Sequence, residues 1–247
     1  MERSIEIREC TTLEQLAACV GLQRDVFKLP EVELSPVRHL VVTRNAGGFI
    51  LGAYSNGELI GFVLSVPAFL RGEKAFYSHM TAVRDDFQSS GIGARLKWSQ
   101  RTKALELGVE YVKWTFEPWK ARNAYFNLEK LGAEIREFEP NFYGVDRTTA
   151  AEGEDPVELL SDRLFAEWDL TSEKVQALAV GEAFAPAAAP RAAIEVPPDW
   201  NALLAEDSTK ALDAQKRLRA EFETAFESGL VARGFLRDER RPMYLMY

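Results

Sequence analysis

The sequence is poor in the residues that build metal centres, disulfide scaffolds and membrane spans. Of 247 residues only two are cysteine and two histidine. Cys10 and Cys19 offer neither the clustered Cys/His spacing of a zinc site nor a disulfide framework, so they read as buried structural thiols, and no metal is expected. No apolar run reaches the ~18 residues of a membrane span, and the opening MERSIEIREC lacks the apolar stretch of a signal peptide. The expectation is a cytoplasmic protein with no membrane partner. Lys and Arg nowhere form a block, and a net charge of −8 with a pI near 5.1 argues against nucleic acid, whose binding calls for a basic face.

What is present is a chain 47% hydrophobic and 28% charged, enough to bury a core as one large domain or two small ones. Residues 4–8 alternate as a strand. Thr11 and Glu14 have the spacing of a capping box, and Leu13, Leu16, Ala17, Val20, Val26 and Phe27 give the stripe of a helix over 12–27. Residues 29–38, with two prolines, read as a loop. GFILGAY and ELIGFVLSV around Asn56-Gly57 predict a β-hairpin. A strand at 77–83 is followed by a helix to about Leu107, closed by Gly108. A strand at 111–116, a helix at 122–131 stopped by Gly132 and a strand region at 133–143 come next.

Residues 148–156 are polar and acidic and read as an exposed loop, and 163–170 as a strand pairing with the one before it. The Ala- and Pro-rich 183–193 reads as a linker. A strand at 193–196, a long helix at 208–228 and a closing strand at 242–247 complete the chain. The apolar close predicts pairing with a sheet, of its own chain or of a second copy in a homodimer. The order β-α-loop-β-β-β-α-β-α-β predicts an α/β (α+β) fold with a mixed sheet and helices on both faces.

The most informative stretch is 77–94, YSHMTAVRDDFQSSGIGA. Strand, glycine turn and helix in that order present backbone N–H groups at a helix N-terminus, a site for a phosphate or pyrophosphate. A dinucleotide fingerprint would need three spaced glycines earlier in the chain. Gln88-x-x-Gly91-x-Gly93, between strand and helix, resembles the acyl-CoA signature of the GNAT superfamily of N-acyltransferases. The order of elements on either side matches that family, and NAYFNLEKLGA at 123–133 resembles its last core helix. The resemblance covers about 4–170. It implies a GNAT-like domain over 1–172, with 173–247 as a C-terminal extension packed on the core or extending it.

The resemblance implies acetyl-CoA or another acyl-CoA as co-substrate, its pyrophosphate held by the backbone of Gln88, Ser89, Ser90, Gly91, Ile92, Gly93 and Ala94. The backbone at Ala82 and Val83 would receive the thioester carbonyl, and Asn123 would touch the cofactor arm. An amine then attacks the thioester directly. Members of the family carry an acidic tyrosine four residues before the helix-ending glycine; here that position is Leu128. Tyr125 and Tyr143 are the substitute acids, and Glu117 and His79 the candidate bases. The implied acceptor is the amine of a small molecule, cationic or zwitterionic given the acidic chain. Transfer of a succinyl or other acyl group to an amino acid is one alternative. A silent acyl-CoA-binding module is the other, prompted by the missing tyrosine.

Overall fold

The computed structural model describes residues 4–146 and 159–247, so the acidic segment 148–156 lies outside the described residues. Two compact units follow one another, Met1–Lys113 and Trp114–Tyr247. Both are built of strands flanked by helices, and the fold is mixed α/β as expected.

In the first unit β1 (Ile5–Glu9), β2 (Phe49–Ser55), β3 (Glu58–Leu70) and β4 (Glu73–Val83) are antiparallel neighbours. The start of β5 (Tyr111–Phe116) runs parallel to β4, with Phe76 opposite Val112 and Tyr77 opposite Lys113. Asn56 and Gly57 at φ +51° and +83° make the tight β2–β3 turn. β3 and β4 run beyond their expected ends, 66 and 77, because Arg71-Gly72 at φ +56° and +80° closes a second hairpin. Pro67 breaks the alternation that the sequence reading relies on, yet it pairs with Phe76. A register shift in this ladder (Leu64 opposite Met80, Ser65 opposite Ser78) makes His79 the extra residue of a β-bulge.

Among the described residues of this unit the helices are α1 (Leu13–Phe27), α2 (Val37–Asn45) and α3 (Ile92–Glu106). The capping box is one residue later than expected. Thr12 Oγ1 accepts the Gln15 N–H at 3.3 Å, while Gln15 Oε1 takes the N–H groups of Thr12 and Thr11 at 3.0 and 2.8 Å. This register satisfies three donors where Thr11–Glu14 would satisfy two. The proline-rich 29–38 does hold a loop with a 3-10 turn, but Pro36 then starts α2, its φ of −71° already set for helix entry. Leu16, Leu22, Leu40, Ile50, Phe62 and Leu64 form the core, with Cys10 and Cys19 fully buried and unoxidised, their sulfurs 3.9 Å apart.

The second unit continues from Trp114 through α4 (Ala121–Tyr125), β6 (Glu134–Glu139), β7 (Val145–Asp146), β8 (Leu159–Leu160) and β9 (Arg163–Asp169). Then come α5 (Glu173–Ala179), β10 (Ala192–Glu195), α6 (Trp200–Glu206), α7 (Ser208–Glu227), β11 (Ala232–Leu236) and β12 (Met243–Met246). The helix expected over 122–131 is α4 followed by a π-helical turn, Phe126–Lys130, with Leu131 N–H reaching Phe126 O at 3.0 Å. Sequence periodicity is blind to one inserted residue in so short a helix. At Gly132 φ is +77°, and a Cβ there would stand 3.1–3.3 Å from side-chain atoms of Leu178, Val175 and Lys174 of α5, so any other residue would be strained.

The strands run in the order β9-β6-β11-β12-β10. The closing strand therefore pairs within its own chain. The C-terminal residues are woven into this unit rather than hung from it: Ala232 of β11 faces Ile135 of β6, and Phe222 of α7 packs on Phe138, Phe226 and Tyr244. Phe222 is fully buried. Phe222→Ala should destabilise the chain by about 3–5 kcal/mol in urea unfolding, the range for emptying an aromatic core site. A loss below about 1 kcal/mol would mean that α7 is not part of the cooperative unit.

Candidate active site

The first unit builds a helix start with no side chain to cap it. β4 ends at Val83, a 3-10 turn (Asp85–Phe87) buries Phe87, and α3 begins after Gly91 at φ +83°. Its first helical hydrogen bond is Arg95 N–H to Gly91 O at 3.1 Å, which leaves the amides of Ile92, Gly93 and Ala94 without an intrahelical acceptor. A Cβ on Gly91 or Gly93 would meet nothing within 4 Å, so open space lies over both. The helix dipole adds about half a positive charge there. The arrangement suits an anion.

Gln88 differs in role from its neighbours. Its N–H donates to Asp85 O at 3.2 Å, and its side-chain amide donates to Val83 O at 3.2 Å and Asp85 Oδ1 at 2.8 Å. It braces the turn instead of offering its own amide. Arg84 lies between Asp86 and Glu58, at 2.7 and 2.5 Å, which neutralises carboxylates close to the loop. Behind it, buried Lys97 of α3 donates to Ser78 Oγ at 3.1 Å and Gln100 Oε1 at 2.7 Å, and Gln100 Nε2 donates to Ser65 Oγ at 2.8 Å. Burial holds the Lys97 pKa well below the usual lysine value. This network fastens α3 to both strands at the bulge.

The bulge turns His79 toward residues that the sequence does not link to it. Ser35 Oγ lies 3.4 Å from His79 Nε2, and the rings of His79 and His39, the only two histidines, are edge to face with centroids 6.2 Å apart. Ser35 is itself held by Gln23, whose Oε1 accepts its N–H at 2.9 Å. Desolvation by neighbouring atoms, then the second imidazole, hold the His79 pKa below the usual histidine value. His79 thus stays a neutral acceptor to lower pH.

The second unit gathers Glu117, Tyr143, Thr115 and Arg163. Arg163 opens β9; its Nη1 stands 4.0 Å from Glu117 Oε2, and its guanidinium lies 5.1 Å from the Tyr143 ring centre. Tyr143 Oη and Thr115 Oγ1 are 3.3 Å apart. Arg163 Nε is buried without a hydrogen-bond partner. Of the sequence candidates, Glu117 and Tyr143 share this cluster, and Arg163 was missed because nothing in its strand pattern marks it. Tyr125 makes its contacts elsewhere, with the cations of Lys130 and Arg237 at 5.6 and 5.4 Å from its ring centre. Asn123 is exposed on α4.

The C-terminal elements fasten this cluster from two sides. Asp162, 1% exposed, takes Arg219 of α7 on both carboxylate oxygens, at 2.6 and 3.2 Å, and accepts the Asn141 N–H at 2.9 Å. Ser161 Oγ accepts the Tyr143 N–H at 2.7 Å, and Gln215 holds Leu160 O at 2.5 Å. On the other side Tyr244 Oη donates to Pro118 O at 2.8 Å, Trp200 stacks on Trp119 at 4.6 Å, and Lys120 reaches Asn201 at 2.7 Å. Residues 200–244 thus hold the chain neighbours of Glu117 and Arg163.

Comparison with known proteins adds the lineage. Residues 14–133 match the family model of the acetyltransferase (GNAT) family. The chain carries a GNAT-family domain. Solved structures with the same fold include the ribosomal-protein-S18-alanine N-acetyltransferase of Escherichia coli, at 14% identity over 68% of this chain and 96% of that one, with a TM-score of 0.53. An N-acetyltransferase of Staphylococcus aureus Mu50 matches at 15% identity, 68% and 99% coverage and 0.53. The ribosomal-protein-alanine N-acetyltransferase of Brucella melitensis matches at 18%, 67% and 99%, and 0.52. No curated protein matches the sequence. Among the described residues no helix of this GNAT-domain chain is long and apolar enough to cross a membrane, and no three His, Cys, Asp or Glu side chains group at metal-binding spacing.

Asp162→Asn keeps the size of the side chain and removes its charge from Arg219. The expected loss is about 2–3 kcal/mol, below the ~3–5 of a fully buried pair because Arg219 is 29% exposed. Chemical unfolding of Asp162→Asn, Arg219→Met and the double variant would show this as a coupling energy; additive losses would contradict it.

Proposed function

We propose that the protein is an acyl-CoA-dependent N-acyltransferase that moves an acetyl group from acetyl-CoA to the amine of a small molecule. The observation that carries the reading is the uncapped start of α3, with Gly91 at φ +83° and open space over Gly91 and Gly93. In this reading the amides of Gly91, Ile92, Gly93 and Ala94, with the flanking Ser89 and Ser90, hold the CoA pyrophosphate, while Gln88 keeps the loop in shape. The acyl arm follows β4 back from the loop, and the backbone at Ala82 and Val83 receives the thioester oxygen. A donor so placed is typically worth ~3 kcal/mol of barrier. Asn123 is assigned to the cofactor arm on the family resemblance. The acyltransferase core is assigned to residues 1–172 and the extension to 173–247.

The amine nitrogen forms a bond to the thioester carbon, the C–S bond breaks, and CoA leaves as thiolate. Holding both reactants supplies up to ~7–11 kcal/mol, so no covalent enzyme intermediate is needed. The nitrogen must lose a proton and the thiolate must gain one. His79 is our first assignment for the base, since its lowered pKa keeps it neutral near pH 7; Glu117 is the alternative. Tyr143, whose hydroxyl lies 3.3 Å from Thr115 Oγ1 in the same cluster as Glu117, is preferred to Tyr125 as the acid.

Acetyl-CoA should raise the melting temperature, and thiol should be released when a panel of amines is added. Gly93→Asp, which puts a carboxylate among the amides, should abolish the shift and leave the apo melting temperature unchanged. A retained shift in Gly93→Asp would place the cofactor elsewhere. A normal shift with no thiol released across a broad panel would favour a binding module without turnover. If His79 is the base, kcat/KM falls as pH drops through its lowered pKa, below the ordinary ~6.5. His79→Gln should then lower the rate at neutral pH and remove this acidic limb; an unchanged limb would reassign the base.

A further inference from the structure

Arg163 and Glu117 are an ion pair held apart. Their closest atoms are 4.0 Å distant, beyond hydrogen-bond reach, although both side chains are largely withdrawn from water at 19% and 30% exposure. A pair free to relax would close to under 3 Å, as Arg219 and Asp162 do at 2.6 Å in the same unit. Here each partner is fixed by other elements. Glu117 precedes Pro118, whose carbonyl is clamped by Tyr244, and Arg163 follows Asp162, clamped by Arg219. The guanidinium also keeps an unpartnered buried Nε, and two hydroxyls, of Tyr143 and Thr115, form a pair beside it.

A cation and an anion held at this spacing complement a ligand carrying the opposite charges on adjacent atoms. An amino acid laid across the pair gains two close contacts, carboxylate to Arg163 and ammonium to Glu117, in place of one loose contact. We infer that Arg163 is the acceptor-binding residue for a carboxylate, and that the acceptor is an amine with a carboxylate next to it, a free α-amino acid. This rests on the acyltransfer reading above and narrows its substrate class. The same placement puts the ammonium against the carboxylate of Glu117.

The test uses the full chain with acetyl-CoA and the L-amino acids, each against its own carboxamide, following release of thiol. The wild type should use at least one free acid with kcat/KM about tenfold or more above its amide. Arg163→Met should raise KM for that acid about tenfold or more and lower kcat/KM for the acid at least tenfold further than for the amide, with KM for acetyl-CoA unchanged. Arg163→Lys, which keeps the charge without the fork, should recover part of the loss. Equal use of acids and amides by the wild type would overturn the inference. So would an equal fall in kcat on both substrates in Arg163→Met, which would make Arg163 a positioning residue for Glu117. Where no thiol appears, calorimetry of the same pairs on the CoA-saturated protein decides: acid-selective binding supports the site, and its absence overturns it. A missing acetyl-CoA melting shift would sink the acyltransfer reading itself. A normal shift without acid preference would sink only this inference.

Discussion

A helix that starts without a side-chain cap has to give its first amides to something else. At α3 the usual Ser, Thr, Asp or Asn is replaced by Gly91, and the residues around it are arranged to keep that start open. Phe87 anchors the turn in the core, Gln88 braces it from within, and Arg84 withdraws the nearby carboxylates into ion pairs. The Lys97–Gln100–Ser78–Ser65 network then ties the helix to the two strands at the bulge. Burying a lysine here costs stability, and the network limits that cost by satisfying its donors. Orientation of the helix start relative to β4 is what such a network secures, and the proposed chemistry depends on it.

The second unit solves a different problem. Its polar cluster lies at the end of β5, in the turn after β6 and at the start of β9. The C-terminal residues hold it with a buried bidentate ion pair, a buried tyrosine hydroxyl and a stack of two tryptophans. Each of these contacts falls within two residues of Glu117 or Arg163 in the chain. The C-terminal residues thereby hold the neighbours of both members of the Glu117–Arg163 pair.

Much of this was legible in the sequence because it is local. The Asn56-Gly57 hairpin, the glycine-turned start of α3, Gly108 and Gly132 as helix ends, and the amphipathic α7 each follow from a few neighbouring residues. What escaped depends on distance along the chain or on one inserted residue. The β-bulge at His79 and the π-helical turn at 126–130 shift register without changing composition. α2 was hidden behind two prolines, of which the second starts it. The approach of His39 to His79, 40 positions on, and of Arg163 to Glu117, 46 positions back, is a product of folding that no local period encodes. The scarcity of histidine was the one usable clue, since two such residues in 247 invite the question of whether they meet.

The proposed function requires an acyl-CoA phosphate on the first amides of α3. Amide hydrogen exchange with and without acetyl-CoA reads those amides directly. Slowed exchange is expected at residues 89–94, extending to 82–83 along the end of β4, with little change at 5–9. Saturating acetyl-CoA that left 89–94 unprotected while protecting another segment would contradict it.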